Sequence, residues 1–556
     1  MDSISDAKTL PGAPTAAVIA LQNPSLRVTV VDRDERRIRR WNSTHLPIRE
    51  PGLDTVVRVA RDGLNASATL QLEKRPESED CRFSQPRPAN LFFTTACAKC
   101  ISEADVVFIA VNTPTKISGV GAGHATDMTA FECVVEDIAK HAKPDAILVE
   151  KSTVPCRTAN LVQDILDEVR PGSRNQILSN PEFLSEGTAI KDLMKPDRIL
   201  IGSANTLEGR RAAAALVNVY ASWVPRSQIL GTNIFSSELS KLVANAMLAQ
   251  RISSINSIGA ICEKTGADVH EIAKSIGLDR RIGPQFLKAG LGFGGSCFRK
   301  DIGSLVYLAK MLGLDEVADY WNAVQIINQS QRTRFARKVI SRLNGTLRGK
   351  KITMLGFAFK KDTGDTRESV AIDIIRILLE ERPAEIAIFD PGCSPEEIHR
   401  EIDQMAATLE PDVARLKSRI TVSTEPYQAC LDSNAICIVT DWDHFKTAPS
   451  TFTSKSPKEI LAKKTVPVVA ASPLDEIRPE QHADLPSCPK DCPECTQPFA
   501  GFAIEQDFEW ARILYHMKGT KWIFDGRGVL DTPEMERLGA RVEVLGTASD
   551  QALLSR

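Results

Sequence analysis

The stretch RVTVVDRD, residues 27–34, decides how the fold is read. A run of apolar and β-branched residues closed by an acid describes a buried strand ending at Asp32. In a dinucleotide-binding unit, an acid at the end of the second strand takes the adenosine ribose hydroxyls. A strand-terminal Asp that only makes a turn fits the same letters. Similar runs follow at ADVVFIAV (104–111), AILVEK (146–151), QILSN (176–180) and RILIG (198–202), with amphipathic stretches at 129–141 and 157–169 among them. Continuous apolar strands alternating with helices predict a parallel sheet covered on both faces. From about 233 to 265 the pattern becomes one long helix, stopped by Gly266, and helix continues through about 343. The alternation then resumes with KITMLGFAF (351–359), EIAIFD (385–390), AICIVTD (435–441), KWIFDG (521–526) and RVEVLG (541–546). The expected class is α/β: two Rossmann-like doubly wound parallel-sheet domains, 1–230 and 344–556, joined by a central helical domain, 231–343.

The amino-terminal end of that plan is irregular. Gly12 stands about 20 residues before Asp32, the interval from a dinucleotide-binding glycine motif to its acid. The text LPGAPTAAVIAL lacks the first two glycines of that motif, and MDSISDAKTL is no buried strand. The first strand and its glycine turn are therefore expected to be missing, and the chain as written to hold a dinucleotide poorly.

Composition excludes several function classes. Of 556 residues, 69 are basic and 71 acidic, a net charge of −2, so no strong overall field draws the chain to nucleic acid or an anionic membrane. There is no basic region followed by an apolar core, and no run of about 18 apolar residues, so neither a secretory signal nor a membrane span is expected. Thirteen scattered cysteines suit a reducing compartment, and a cytoplasmic location is expected. Segments 71–90 and 447–505 read as loops or disordered insertions. Cys488, Cys492 and Cys495 with His482 have permissive metal spacing, but prolines separate them and no second CxxC is near, so no metal is expected.

Four stretches carry chemistry. In GLGFGGSCFRKD (290–301) small residues make Cys297 reachable, and the cations after it favour the thiolate that attacks carbon. A glycine-rich surface loop that happens to hold a thiol is the alternative. Lys241 and Asn245 lie four apart and share one face of the long helix, set among apolar residues or on a solvated face. Glu182, in LSNPEFLSEG, follows a strand end where ligands bind in open α/β sheets, or is a helix-initiating acid. GFAFKKDTGDTRES (356–369) can hold phosphate at a helix start or be a solvated loop.

Together with LPIREPGLD, VNTPTK, EKSTVP and FDGRGVLD, these strings resemble the UDP-glucose/GDP-mannose dehydrogenase family, in particular its NAD-dependent UDP-glucose 6-dehydrogenases. The agreement runs in order from about Gly12 to Leu545, outside the two insertions. The resemblance implies oxidation of UDP-glucose at C6 to UDP-glucuronate in two NAD-dependent steps, through a thiohemiacetal and a thioester on Cys297. It implies that Lys241 and Asn245 stabilise developing oxyanion charge, that Asp301 and Glu182 serve water activation and proton transfer, and that Thr153 positions the water. It assigns Gly12, Asp32, Arg37, Thr113, Glu150, Thr153, Lys300 and Arg367 to NAD. Glu182, Lys241, Asn245, Lys288, Phe298, Lys360 and Arg527 go to the sugar nucleotide, with Arg281 reaching a neighbouring subunit's site in a homo-oligomer. Two other readings stand: a non-catalytic UDP-sugar-binding relative disabled by loss of the glycine turn, and a dehydrogenase for another nucleotide sugar.

Overall fold

The computed structural model describes residues 12–48, 50–64, 86–446 and 508–547. They form two compact units, the first of residues up to 114 with 126–241, the second of 115–125, 242–446 and 508–547. The segment 447–505 with its cysteines, and residues 1–11, lie outside the described residues.

In the first unit β1 (Val28–Val31) pairs with β2 (Leu91–Thr94). A separate sheet runs in the order β3 (Val106–Ile109), β4 (Ile147–Glu150), β5 (Gln176–Ser179), β6 (Ile199–Ser203), β7 (Ile229–Asn233). Among the described residues β1 and β3 each have one edge without a partner strand, where a doubly wound sheet places its central strand. Burial reflects this. All four residues of β1 and the first three of β3 are half-buried, whereas Leu148 and Val149 of β4 are sealed. One pairing corrects the expectation of a wholly parallel sheet: β5 and β6 run antiparallel. The chain turns at the end of β5 through the six-residue helix Ala189–Met194, too short to carry it back along the sheet.

The helix Gly12–Gln22 is apolar on nearly every side and buried along most of its length, as such a composition requires. Its last carbonyls are held by residues that the sequence placed within an insertion. Arg87 donates to Leu21 O at 2.7 Å and Ala20 O at 2.9 Å, and the Asn90 amide to Ala20 O at 2.9 Å and Leu26 O at 2.8 Å. The end of segment 71–90 is therefore part of the fold, because orphan helix carbonyls need donors.

The second unit has an unbroken sheet. β8 (Lys351–Leu355), β9 (Glu385–Phe389), β10 (Ile420–Val422), β11 (Ala435–Ile438), β12 (Trp522–Asp525) and β13 (Arg541–Val544) are all parallel, in the order β10-β9-β8-β11-β12-β13. That is the doubly wound order, with the direction of winding reversing between β8 and β11. β11 and β12 are buried throughout and β8 beyond its first residue, as strands covered on both faces must be. At the reversal the loop after β8 turns at Gly356 (φ 97°), where a Cβ would meet Thr440 Cβ at 2.4 Å, so only glycine fits.

The helices match the sequence closely. The longest, Ile234–Thr265, has 32 residues and stops at Gly266 (φ 86°); Val269–Gly277, Ser296–Met311 and Asp315–Arg342 follow. The division falls inside the longest helix, after Lys241.

The loop after β12 is fixed by Asp525, whose buried carboxylate accepts from the backbone N–H groups of Arg527, Gly528, Val529 and Leu530 at 2.8–2.9 Å. Removing it in Asp525→Ala leaves four donors without their acceptor. At about 1 kcal/mol for each hydrogen bond, a loss of roughly 3–4 kcal/mol is expected in urea unfolding of this unit. An unchanged urea midpoint would contradict the assignment.

Candidate active site

In the first unit Asp32 stands just past β1 and pairs with Arg37 (Oδ2 to Nη1, 2.5 Å), as the sequence places both. The helix Gly12–Gln22 begins hard against β3. A Cβ on Gly12 would lie 3.1 Å from Ala110 Cβ, so the glycine permits the close approach of helix start and strand end. Thr113, past β3, donates from Oγ1 to the carbonyl of Thr153, past β4, at 2.7 Å, which brings two predicted residues together. Glu182 is held by three groups: Lys151 Nζ at 3.0 Å and Thr15 Oγ1 at 2.9 Å on Oε2, and Phe183 N at 3.0 Å on Oε1. Lys241, almost fully buried, lays its ammonium 5.4 Å from the centre of the Phe183 ring.

Glu150 closes β4 with 1% exposure, its carboxyl turned toward that of Glu238. Burial, and then the charge of Glu238, push its pKa well above the ordinary range. Glu238 itself accepts from Arg157 N and from Ala159 N, at 2.5 and 2.8 Å, and so fixes the turn that opens the helix Thr158–Val169.

In the second unit Cys297 is the second residue of the helix Ser296–Met311 and is exposed. Gly295 ahead of it has φ 80°, and a Cβ there would meet the Phe359 ring at 2.9 Å. One turn along, Asp301 is buried; its Oδ2 accepts from Asn245 Nδ2 at 2.5 Å, and Lys300 Nζ lies 3.4 Å from Oδ1. Three predicted residues thus meet at the base of the nucleophile's helix. The ring of Phe298 packs edge-on to Phe293 at 5.6 Å.

The same unit holds a cavity of about 180 Å³ bounded by Lys288, Gly290, Gly292, Arg527, Phe286, Ile252, Ala289 and Asp441. Arg527 donates from Nε to Val439 O at 2.7 Å and from Nη1 to Gly292 O at 3.3 Å, while its buried Nη2 has no partner. Lys288 Nζ lies 3.4 Å from Asp441 Oδ2. Burial alone would push the Asp441 carboxyl up, but Arg527 and Lys288 overcome this and hold it below the usual range. An unspent guanidinium donor and a lysine in one small cavity suit an anionic ligand such as phosphate. Lys360, Arg367 and Arg281 do not line this cavity. Lys360 lies over the Phe359 ring at 5.5 Å, Arg367 is paired with Asp365, and Arg281 is exposed and paired with Asp279 at 2.6 Å.

Sequence reasoning missed Lys151, Glu238, Asp441 and Asp525. Three of the four sit at or just past a strand end, which was the available signal; Glu238 sits three residues before Lys241 on the same helix.

An α/β unit with an acid just past β1, together with a doubly wound unit that presents an exposed thiol and a small cavity, fits a dinucleotide-dependent dehydrogenase. Comparisons sharpen this. The UDP-glucose/GDP-mannose dehydrogenase family matches with its NAD binding domain at 11–85 and 84–224, its central domain at 235–330 and its UDP binding domain at 353–466. UDP-glucose 6-dehydrogenase 3 of Arabidopsis thaliana is 48% identical over 548 residues, 98% of this chain and 96% of its own. UDP-glucose 6-dehydrogenase 3 of Oryza sativa subsp. japonica is 49% identical over 442 residues, 78% and 86% of the two chains. A UDP-glucose dehydrogenase from Pyrobaculum islandicum superposes with TM-score 0.63 at 28% identity, covering 79% of this chain and 92% of that one. The chain belongs to the UDP-glucose/GDP-mannose dehydrogenase family.

The Glu150 carboxyl gives a test of the site's electrostatics. Its pKa is raised in the folded protein above an unfolded value of about 4.3, so its contribution to stability is full below that pH and is lost as pH rises through the folded pKa. Glu150→Gln should therefore melt near the wild-type temperature at pH 4 and above it at pH 8. A gain of equal size at both pH values would show that Glu150 does not titrate in this way.

Proposed function

We propose that this protein is an NAD-dependent UDP-glucose 6-dehydrogenase that oxidises C6 twice and releases UDP-glucuronate. The observation that carries the reading is the exposed thiol of Cys297 at the opening of a helix whose next turn holds Asp301, pinned by Asn245 and Lys300. The described residues fit NAD. Gly12 lets a helix start abut the end of β3, where a dinucleotide's pyrophosphate sits in such folds, and Asp32 with Arg37 stands at the end of β1 for the ribose. NAD⁺, when bound, accepts the hydride of each oxidation. Thr113, Thr153, Glu150, Lys300 and Arg367 complete its proposed contacts.

Lys241 and Asn245, one turn apart on a single helix, supply donors for negative charge on the C6 oxygen. The Cys297 sulfur adds to the C6 aldehyde to give a thiohemiacetal. Loss of its hydride and hydroxyl proton leaves a thioester, and water then breaks the C–S bond, yielding the carboxylate and restoring the thiol. Asp301 and Glu182 orient the water and move its proton, with Thr153 positioning it. Arg527 and Lys288 hold the diphosphate, with Lys360, Phe298 and a neighbouring subunit's Arg281 at the rest of the sugar nucleotide. The three-domain division, 1–230, 231–343 and 344–556, a homo-oligomer and a cytoplasmic location belong to the same proposal. No helix among the described residues is long and apolar enough to cross a membrane.

Turnover of NAD⁺ with a panel of nucleotide sugars tests the substrate; UDP-glucose should give the highest kcat/KM. Cys297→Ser should abolish steady NADH formation while calorimetry still detects UDP-glucose binding, because a serine hydroxyl is far less nucleophilic near neutral pH. Steady turnover at the wild-type rate in this variant would rule out Cys297 as nucleophile.

Among the described residues β1 and β3 each leave one edge without a partner strand, which yields a second test. A polypeptide extended ahead of Gly12 by an apolar strand and a G-x-G-x-x-G turn should bind NAD⁺ more tightly than the same chain without that extension. Two charge-assisted hydrogen bonds to the pyrophosphate, at about 1.5–3 kcal/mol each, correspond to roughly a hundred- to ten-thousand-fold. Equal affinities by calorimetry would overturn this expectation.

A further inference from the structure

Lys151 carries a positive charge into a place where charge is costly. It follows the last residue of β4, and its side chain is only 3% exposed. Its ammonium meets three oxygens: Glu182 Oε2 at 3.0 Å, Asn180 Oδ1 at 3.1 Å and Tyr220 Oη at 3.4 Å. An ammonium has three protons, and here each has a partner. The partners are themselves fixed. Tyr220 Oη donates to Asn180 Oδ1 at 2.6 Å, and the Asn180 amide nitrogen donates to Leu200 O at 2.8 Å. Burial works against the charged lysine, yet Glu182 and Tyr220 overcome that and leave its pKa above the ordinary value.

A buried ion pair is weak evidence for stability, since a well-packed apolar pair often serves as well. The arrangement is better explained by what it does to Glu182. With Lys151 and Thr15 on Oε2 and Phe183 N on Oε1, the carboxylate cannot rotate, and a carboxylate has about four acceptor sites, so one remains for a donor from the substrate side. The same Phe183 whose N–H anchors Oε1 carries the Lys241 ammonium over its ring. Lys151 thus ties the orientation of Glu182 to the strand end, and through Phe183 to Lys241.

We propose that Lys151 is a positioning residue for the reaction: it holds the Glu182 carboxylate in the one orientation that serves the reacting groups, with Tyr220 and Asn180 bracing it from behind. The inference rests on the role given to Glu182 under the proposed function. It separates Glu182, which meets the substrate side, from Lys151, which acts only through it.

A double-mutant cycle on the full chain tests this, using the nucleotide sugar of the panel that is turned over fastest. Lys151→Met keeps the length of the side chain and removes the charge; Tyr220→Phe removes only the brace and is the milder change if Lys151→Met folds poorly. Each is made alone and in Glu182→Gln, where no carboxylate is left unpaired. Melting by circular dichroism confirms folding, and kcat and KM are read separately. Lys151→Met should lower kcat by up to about a hundredfold, the scale of a misplaced reacting group, with KM for the nucleotide sugar little changed. Tyr220→Phe should lower kcat less. In the Glu182→Gln background both substitutions should cost little more, since residues acting through one another are not additive. Equal costs in both backgrounds would overturn the inference while leaving Glu182 in place. Wild-type kcat in Glu182→Gln would remove the role of Glu182 and the inference with it, and absence of turnover on every sugar of the panel would overturn both this and the proposed function.

Discussion

Asp525 spends both oxygens of a fully buried carboxylate on the N–H groups of the loop that follows it, and that grip recurs at Asp390, Glu50 and Glu238. Asp390, just past β9, accepts from Phe357 N and Ala358 N of the loop after β8, from Gly392 N and Cys393 N of its own loop, and from the Trp442 indole. In the first unit Glu50 accepts from Gly187 N and Ala189 N, and Glu238 from Arg157 N and Ala159 N. The cause is common to all four. Loops at the carboxyl ends of parallel strands turn too sharply to pair with the sheet, and buried N–H groups need acceptors. A charged acceptor satisfies several at once with stronger bonds than a neutral one. The loops carrying Arg527, Lys360 and Glu182 are thereby stiffened without contact between those side chains and the clamping acid.

The two units show what a central strand contributes. In the second, β8 lies between β9 and β11 and is sealed beyond its first residue, and the reversal of winding beside it makes a crevice at Gly356. In the first, β1 with β2 and β3 with its neighbours form separate sheets, and the residues facing the division are half-buried. What keeps β1 and β2 on the unit is side-chain chemistry: Arg87 and Asn90 fasten the helix Gly12–Gln22, and Trp41 stacks on Phe93 of β2 at 5.2 Å. Sheet hydrogen bonds are replaced here by packing on a helix.

How much of this the sequence disclosed follows from what each residue type announces. Strands sealed on both faces read as apolar runs, so β8, β9, β11 and β12 were evident, as was the long helix with its terminal glycine. β7 was missed because its residues are half-exposed or exposed, and β10 because three residues make no period. The antiparallel return of β6 depends on the short helix before it, and no local pattern encodes direction. Among site residues, Cys297, Asp301 and Lys241 stood out because a thiol among glycines and a lysine among apolar residues are chemically odd. Lys151 did not, since a charged residue after a strand reads as the start of a solvated loop. Only its neighbours, Asn180 from a second strand end and Tyr220 from a distant helix, reveal that it is buried.

That difference bears on how the reacting groups divide their work. Cys297 is exposed in the first turn of its helix, and the glycine before it lets the backbone pass close to Phe359 and present the thiol there. The partial positive charge of that turn favours an anion there. Asp301 and Glu182, the acids proposed to handle the water, are by contrast each held by an amide or an ammonium. Under the proposed mechanism fixed polar groups are what two successive oxidations on one sulfur require, because the oxygen on C6 must find the same donors in the aldehyde, the thiohemiacetal and the thioester.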